Sequence, residues 1–560
     1  MSADSILEKL RNVGYPMDDS VARELLDLHN TGTDSFFELL DSEAFNSLST
    51  QEFFSIQFKI NALIPNLEGN AEQLVEFTAK LVAKGGEDSF ASQPNGALRT
   101  WFASRKQEAL MAIDLALKDA GPVRDHLVFA LEGLADEITC WDLANSKEPR
   151  IRQAALMALG RGQFTLVGTP NAIITLNSLL DGKLDDQLLA GLIPVLVRLV
   201  AVAPQHEALL AQILRTPAEQ FGAMAHFALA GEMAHEVMIT RPAIFAEALK
   251  QLLNVNPEYI GVLQQIEFSL GGELLQKNFC AVTEFVRDYL IRHGMRGPSS
   301  LLQGLIKRLS ACPKRFGYLV GDWLGRAEIE DSFPLGRALA RTLEDSTTRR
   351  VDLVDIELDP VQRMNLISRA TGHFFFKPLV AAEIVVAASN GTTETEVHGL
   401  ALHVLSETLL SNYAGDLQEA LELLVPSNDP HSVIAKALDR AKAHLEAVNE
   451  VPELVEFRPS ERRRQIAENL RSDELNRAHE EARNNSPLLS TISTSVLLYG
   501  SRSRSYQRIS GYEEGGELQQ FEIELRSFEH SIEIPRESIF DEIGLEQRLS
   551  DLKRRGYRRL

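Results

Sequence analysis

The sequence predicts a mainly α-helical protein: a solenoid of antiparallel helical pairs with a small C-terminal α/β unit, made of a β-hairpin or short sheet plus a helix. Three observations support this prediction. A helical phrase, Gln107–Ile113, returns 46 residues later as Gln153–Leu159. Leu and Ala, which favour helices, recur through the first 455 residues, while aromatic residues make up only 7% of the chain. Pro, Gly, Asn and Asp collect in short joints between the apolar stretches. A single repeat of this kind cannot bury its apolar face, so neighbouring repeats must stack.

Residues 1–80 are predicted to form an N-terminal helical cap. Its apolar stretches are short and separated by polar joints, and terminal repeats of a stacked array are atypical because their outer face meets water. Ser49 or Thr50 is the expected N-cap of the longest of these helices, with Glu52 in its first turn. The predicted helices are Ile6–Val13, Val21–His29, Phe36–Leu40 and Thr50–Leu67.

Residues 81–345 are predicted to be helical repeats, and residues 346–455 to be further repeats after an irregular break over residues 341–360. Many prolines fall where helices are expected to begin, a position that tolerates proline because the first N–H groups of a helix have no intrahelical partner. Apolar residues at spacings of three and four indicate helices. The clearest of these helices are Asn171–Leu180, Asp186–Val202, His206–Leu214, Ala218–Ala230 and Ala243–Leu253.

One stretch resembles a known repeat family. Pro149–Gly160 reads Pro-Arg-Ile-Arg-Gln-Ala-Ala-Leu-Met-Ala-Leu-Gly, which is similar to the second helix of a HEAT repeat, and Arg105–Ile113 is a looser copy. The resemblance to HEAT and armadillo proteins implies an α-solenoid that offers an interaction surface. It implies no catalytic residues.

Residues 456–560 are predicted to be a separate arginine-rich α/β domain. A charge-dense helix is expected over Pro459–Asn485, and strand character over Thr491–Tyr499. A polar loop follows through Gly515-Gly516. Phe521–Leu525 alternates apolar and charged residues as a half-buried strand does. A last helix is expected over Ile539–Arg555.

The distribution of charge favours a protein partner. The chain carries a formal charge of −22, whereas residues 456–560 hold 18 Lys plus Arg and 19 Asp plus Glu, so about −21 resides in the first 455 residues. Such a surface repels nucleic acid and anionic membrane at long range. We therefore predict a non-catalytic protein-interaction scaffold or adaptor that binds a protein partner on an acidic solenoid surface. A surface kept acidic for solubility alone is the other interpretation.

The alternative function is a nucleic-acid-associated protein, in DNA maintenance or immunity, that uses the arginines of the C-terminal segment. Arginine's planar fork suits phosphates and carboxylates, and tyrosines among arginines can stack on bases. Glutamates are equally interleaved, however, so internal ion pairs or docking onto an acidic partner are also open. The candidate anion or partner contacts are Arg462, Arg463, Arg464, Arg502, Arg504, Arg508, Arg554 and Arg555.

The sequence offers no motif for catalysis, a cofactor or a metal. It lacks a P-loop, a dinucleotide fingerprint, a HExxH pair and a GxSxG elbow. We predict no enzyme activity and no cofactor, although a helical enzyme without a short motif stays open as a third hypothesis. Cys140, Cys280 and Cys312 are expected to be buried small side chains. The first residues lack the basic and apolar regions of a signal peptide, and no apolar run reaches membrane-spanning length. A cytoplasmic protein without a membrane partner is expected.

Overall fold

Helices dominate the structure, which is a computed structural model. It describes residues 4–14, 17–32, 35–86, 89–118, 121–162, 169–293, 302–343, 350–390, 392–425, 432–450, 461–484, 502–508, 518–524 and 534–554. The mainly α prediction is confirmed. The chain separates into two compact units, one of Met1–Ala401 with Glu546–Leu560 and one of Leu402–Leu545. The domain boundaries expected after residues 80, 345 and 455 stay predictions.

The first unit begins with short helices, as the sequence predicts. Ser49 is the N-cap of the fifth: its hydroxyl accepts from the Glu52 N–H while the Glu52 carboxylate accepts from the Ser49 N–H. This capping box fixes the start of the helix. The helices are α1 (Asp4–Asn12), α2 (Asp19–Asn30), α3 (Phe36–Leu39), α4 (Glu43–Asn46), α5 (Thr50–Leu63) and α6 (Ala71–Gly85).

Helices continue through residue 309. Proline occupies the first turn of α12, α13 and α18. The helices are α7 (Gln93–Ser104), α8 (Lys106–Lys118), α9 (Pro122–Asp125), α10 (Leu127–Leu134), α11 (Glu137–Ala144), α12 (Pro149–Arg161), α13 (Pro170–Leu180), α14 (Asp186–Val202), α15 (Glu207–Leu214), α16 (Ala223–Glu232), α17 (Glu236–Thr240), α18 (Pro242–Leu252), α19 (Ile260–Leu270), α20 (Glu273–Lys277), α21 (Phe279–His293) and α22 (Gln303–Leu309).

Four of these helices begin at a constant interval. The starts of α12, α14, α16 and α19 are Pro149, Asp186, Ala223 and Ile260, each 37 residues after the one before. Each helix contacts the next, and we call this set the front row. The 46-residue echo in the sequence instead relates α8 to α12. Because α8 contacts α6, α7, α9 and α10, the echo does not measure the spacing of the front row.

An arginine from one front-row helix closes the C-terminal end of the preceding one. The Arg198 guanidinium, on α14, donates to the carbonyl oxygens of Gly160, Arg161 and Gly162 at the end of α12. The last carbonyls of a helix have no intrahelical donor and carry partial negative charge. The guanidinium of Arg198, which comes from the next front-row helix, therefore supplies the missing hydrogen-bond donors and a positive charge.

A carboxylate closes the N-terminal ends in the same way. The Asp186 carboxylate, in the first turn of α14, accepts from the N–H groups of Gly222, Met224 and Ala225 at distances of 2.8, 3.2 and 2.8 Å. These are orphan donors of α16, 36 to 39 residues away. Glu267 accepts from the Gly304 N–H at the start of α22 at an interval of 37.

Other side chains bridge similar intervals. Hydrogen bonds over 34 to 41 residues run from Trp101 Nε1 to Leu67 O, from Gln251 Nε2 to Thr216 O, from Tyr289 Oη to Val255 O, from His293 Nε2 to Leu253 O and from Arg308 Nη1 to Glu267 O. Helices about one 37-residue interval apart are thus joined by polar contacts as well as by apolar packing.

The regular helical pattern changes after residue 309. The next helices are α23 (Pro313–Val320), a π-helix (Gly321–Arg326), α24 (Ile329–Thr342), α25 (Pro360–Phe374), α26 (Pro378–Asn390) and α27 (Thr395–His403). Residues 350–359, the described part of the predicted break beyond α24, form neither helix nor strand.

Residues 350–359 lie in a groove lined by glycines. Gly317, Gly321 and Gly325 recur at intervals of four along α23 and the π-helix. A Cβ at Gly317 would lie 1.9 Å from the carbonyl oxygen of Asp352, and one at Gly321 would lie 2.9 Å from Ile356 Cγ2. Only glycine lets the two backbones approach this closely.

The second unit begins inside the helical chain and contains the described strands. Its elements are a π-helix (Val404–Leu410), α28 (Asp416–Leu424), α29 (Val433–Asn449), α30 (Glu461–Asn484), β1 (Arg502–Arg508), β2 (Leu518–Glu524) and α31 (Arg536–Phe540), and α32 (Glu542–Arg554) begins at its edge. β1 and β2 form an antiparallel ladder. Arg502–Arg508, expected to be loop, is therefore a strand. The strand predicted over Thr491–Tyr499 lies outside the described residues. The predicted last helix is two helices, because Asp541 has non-helical backbone angles between them (φ −149°, ψ 71°).

We expect Gly317→Ala to lower the melting temperature, because the new methyl group has no room beside Asp352. Overpacking of this kind costs about 1 to 3 kcal/mol. Gly96→Ala is the matched control, since the space around Gly96 is open and it lies inside α7. The control should be neutral or stabilising by up to about 1 kcal/mol. Calorimetric melting of both variants measures the difference, and equal melting temperatures would contradict the groove.

Asp186→Ala should destabilise the protein by about 1 to 2 kcal/mol, because it leaves three N–H groups of α16 without their acceptor. Asp186→Asn keeps an acceptor oxygen and should lose less. Asp181→Ala, at an exposed position just after α13, is the control. Urea unfolding followed by circular dichroism gives the ranking, and a loss for Asp181→Ala as large as for Asp186→Ala would refute the capping role.

Candidate interaction surface

The front row presents an exposed face that is apolar in its last two helices. The exposed side chains are Met224 and Phe227 on α16, with exposed fractions of 47% and 50%, and Ile260 and Phe268 on α19, with 59% and 71%. Met224 and Phe227 are three residues apart, and Ile260 and Phe268 are eight apart, so each pair lies on one side of its helix. Large apolar side chains exposed on two contacting helices form a patch of the kind that marks interaction sites.

The 37-residue interval aligns the exposed positions of the two helices. Gly261 corresponds to Met224, Gln264 to Phe227, and Phe268 to Gly231. Met224, Phe227 and Phe268 therefore correspond to a glycine or glutamine of the neighbouring helix, and Ile260 corresponds to Ala223. A Cβ at Gly231 or at Gly261 would have no heavy atom within 4 Å, so both glycines leave open space. The result is an uneven surface with protruding aromatic rings beside shallow gaps.

This surface, which we call the front face, is bordered by acidic residues. Glu219 and Glu258 are exposed just before α16 and α19, and the half-exposed ring of Tyr259 lies beside the second. A partner with apolar side chains and nearby cations fits this arrangement. Composition could not reveal the face. The feature of the sequence that could have revealed it is the 37-residue interval between helix starts, because this interval aligns Phe227 and Phe268 on one side of the two helices.

Two carboxylates of the first unit, Glu132 on α10 and Glu232 on α16, lie next to arginines. Glu132, on α10, lies 3.7 Å from Arg99 and 3.7 Å from Arg161, on the two flanking helices, and its burial raises the pKa of its carboxyl. Burial likewise raises the pKa of Glu232, which Arg198 opposes. Each carboxylate joins neighbouring helices through charge, so we assign both a structural role.

A cluster of basic side chains, Arg369, His373 and Lys553, lies in the first unit. Arg369 is fully buried and donates to the carbonyl oxygens of Leu324 and Ala327 at 2.9 and 2.6 Å, closing the end of the π-helix. His373 lies one turn further along α25, with Gly336 against its ring. Burial, then the charges of Lys553 and Arg369, lowers the pKa of His373 from 6.5 to about 3.

The structure places the sequence-predicted arginines on separate elements. Arg462, Arg463 and Arg464 lie in the first turn of α30; Arg502, Arg504 and Arg508 lie on β1; and Arg554 is the exposed last residue of α32. Arg555 lies outside the described residues. In the ladder, Arg502 stands opposite Glu524 and Arg504 opposite Glu522.

The cysteine prediction is partly wrong. Cys140 is buried, and burial raises the pKa of its thiol to about 12, whereas Cys280 and Cys312 are exposed. Both exposed residues lie at the start of a helix, where one side meets solvent. In the described part of the chain, no group of three or more His, Cys, Asp or Glu side chains could hold a metal ion. Among the described helices, none is long and apolar enough to cross a membrane.

Comparison with known proteins gives little further information. No protein-family model matches the chain, and no curated protein sequence matches it. One solved structure that matches is an engineered protein from a structural genomics consortium. It is 15% identical over 73% of this chain and 98% of that chain, with a TM-score of 0.20.

We expect the buried His373 to make the protein less stable in acid. Its folded-state pKa of about 3 is below 6.5, so the unfolded chain binds the proton more tightly, and stability falls as the pH drops from 6.5 toward 3. Binding of one proton changes the free energy of unfolding by at most about 1.4 kcal/mol per pH unit. His373→Gln should therefore flatten the melting temperature between pH 6.5 and 4.5 relative to the native chain.

His403→Gln is the control, because the His403 side chain is 58% exposed. Melting curves at several pH values compare the two variants. An unchanged pH dependence in His373→Gln, or an equal change in His403→Gln, would contradict the prediction.

Proposed function

We propose that this chain is a non-catalytic interaction protein, a HEAT-like α-solenoid that binds a protein partner through the front face. The observation that carries the proposal is the exposure of Phe227 and Phe268 on two contacting helices of a strongly acidic chain. Exposed aromatic side chains are typical anchors of protein interfaces. The hydrogen bonds over 34 to 41 residues support the stacked-repeat part of the proposal.

The acidic surroundings of the face define the kind of partner. Glu219 and Glu258 border the aromatic anchors, and the first 455 residues carry about −21. Complementary charge speeds encounter and fixes orientation more than it adds affinity. The partner we infer therefore presents apolar side chains at its centre and lysines or arginines near its edge.

The nucleic-acid alternative has weaker support. The register of the ladder places Arg502 opposite Glu524 and Arg504 opposite Glu522, so two of the candidate arginines are each matched by a glutamate. The C-terminal segment as a whole is close to neutral, which also argues against strong attraction of a polyanion.

The test is site-specific photo-crosslinking in extract of the native cells. A photoreactive phenylalanine analogue at Gln264 should crosslink a defined protein, identified by mass spectrometry. The double variant Phe227→Ser with Phe268→Ser should reduce that crosslink at least tenfold, because truncating two central anchors removes several kcal/mol of binding.

The matched control is Ile138→Ser with Ile174→Ser, which removes two similarly exposed apolar side chains from the contacting helices α11 and α13. The control should leave the crosslink unchanged. Loss of the crosslink in both double variants, or in neither, would refute the front face as the binding surface.

A further inference from the structure

The second unit exposes a group of large apolar side chains where α31 meets α32. Ile539, Phe540 and Ile543 have exposed fractions of 68%, 85% and 71%. They fall within five consecutive residues, so their Cα atoms lie within about 14 Å of one another. No other window of five residues in the described chain holds three large apolar side chains so exposed.

The backbone that presents these side chains is held in place on both sides. Pro535 and Leu545 are buried, and the Glu537 N–H donates to Asn412 Oδ1 at 2.9 Å. Asp541 ends one helix and begins the next, and its Oδ1 accepts from the Gly544 N–H at 2.9 Å. The apolar side chains are therefore exposed from an anchored bend, which we call the elbow.

The elbow is also acidic. Residues 533–545 contain four carboxylates and one arginine. Asp541 and Glu542 stand exposed between Phe540 and Ile543, and Glu537 precedes Ile539 by two residues. Apolar side chains that flank a pair of carboxylates suit a ligand of the reverse charge, since like charges across an interface cost several kcal/mol.

We propose that the elbow binds an amphipathic segment of another protein, whose apolar side chains pack on Ile539, Phe540 and Ile543 and whose lysines or arginines pair with Asp541 and Glu542. A second copy of this chain is a poor occupant, because a two-fold contact would bring the same carboxylates together. The elbow is independent of the front face, so the failure of one proposal leaves the other standing.

The test measures fluorescence anisotropy of a labelled peptide with the full-length protein. The probe is a peptide of leucine and lysine with the leucines at helical spacing. Two control peptides are a scrambled peptide of the same composition and a leucine–glutamate peptide of the same spacing. We expect the first to bind and the other two to bind at least tenfold more weakly.

Three protein variants locate the binding. The triple variant Ile539→Ser, Phe540→Ser, Ile543→Ser should raise the Kd at least tenfold. The double variant Asp541→Asn, Glu542→Gln should raise it about fivefold and weaken its salt dependence, while the amide oxygen introduced at position 541 preserves the helix cap. Leu423→Ser, which removes an 88% exposed side chain from the same unit, should leave the Kd unchanged.

Several results would overturn the proposal. They are no binding of the leucine–lysine peptide, equal binding by the triple variant, or equal binding of the scrambled peptide. Sedimentation of the native protein as a dimer that the triple variant dissociates would assign the elbow to a second copy instead. Unchanged melting temperatures of all variants establish that the substitutions act on the surface alone.

Discussion

The ends of the helices, more than their sides, determine how the front-row helices stay in register. Every α-helix leaves orphan N–H groups at one end and orphan carbonyls at the other. Here a side chain from the neighbouring repeat satisfies them: Asp186 at the start of α16, Arg198 at the end of α12, and Glu267 at the start of α22. Apolar packing is non-directional and would tolerate sliding of one helix along another. A charged side chain aimed at a helix end does not tolerate it, so these bonds set the spacing on which the front face depends.

Charged side chains have two roles in this chain. The buried ones, such as Glu132 between two arginines and Arg369 at the π-helix, join helices. A buried charge that loses its partner costs several kcal/mol, which makes these positions poor candidates for chemistry on a ligand. The exposed acidic residues are left to act on other molecules. At the front face and at the elbow, such exposed carboxylates stand near exposed apolar side chains.

The sequence predicted the helical class well because periodicity and joints are local properties. The start of α5 at Thr50 after Ser49, and the prolines that open α12, α13 and α18, could be read directly. The 37-residue interval of the front row could not be read in this way, because the two similar sequence stretches lie on α8 and α12, which have different neighbours. The strand Arg502–Arg508 was missed since alternating Ser and Arg carry no apolar signal. Exposure of Phe227, Phe268 and Phe540 was also beyond reach, because an aromatic side chain in a helix is ordinarily a core residue.

The constant interval along the front row has a consequence for the length of the chain. Deleting residues 186–222, one interval of 37, joins Asp185 directly to Ala223. Asp185 is the residue that caps α14, so α16 would still follow an aspartate at its N-cap position. The deletion would, however, remove Asp186 and Arg198, the side chains of α14 that close the start of α16 and the end of α12. Loss of one interval would therefore keep an N-cap residue before α16 but remove the polar bonds that join it to the preceding helix.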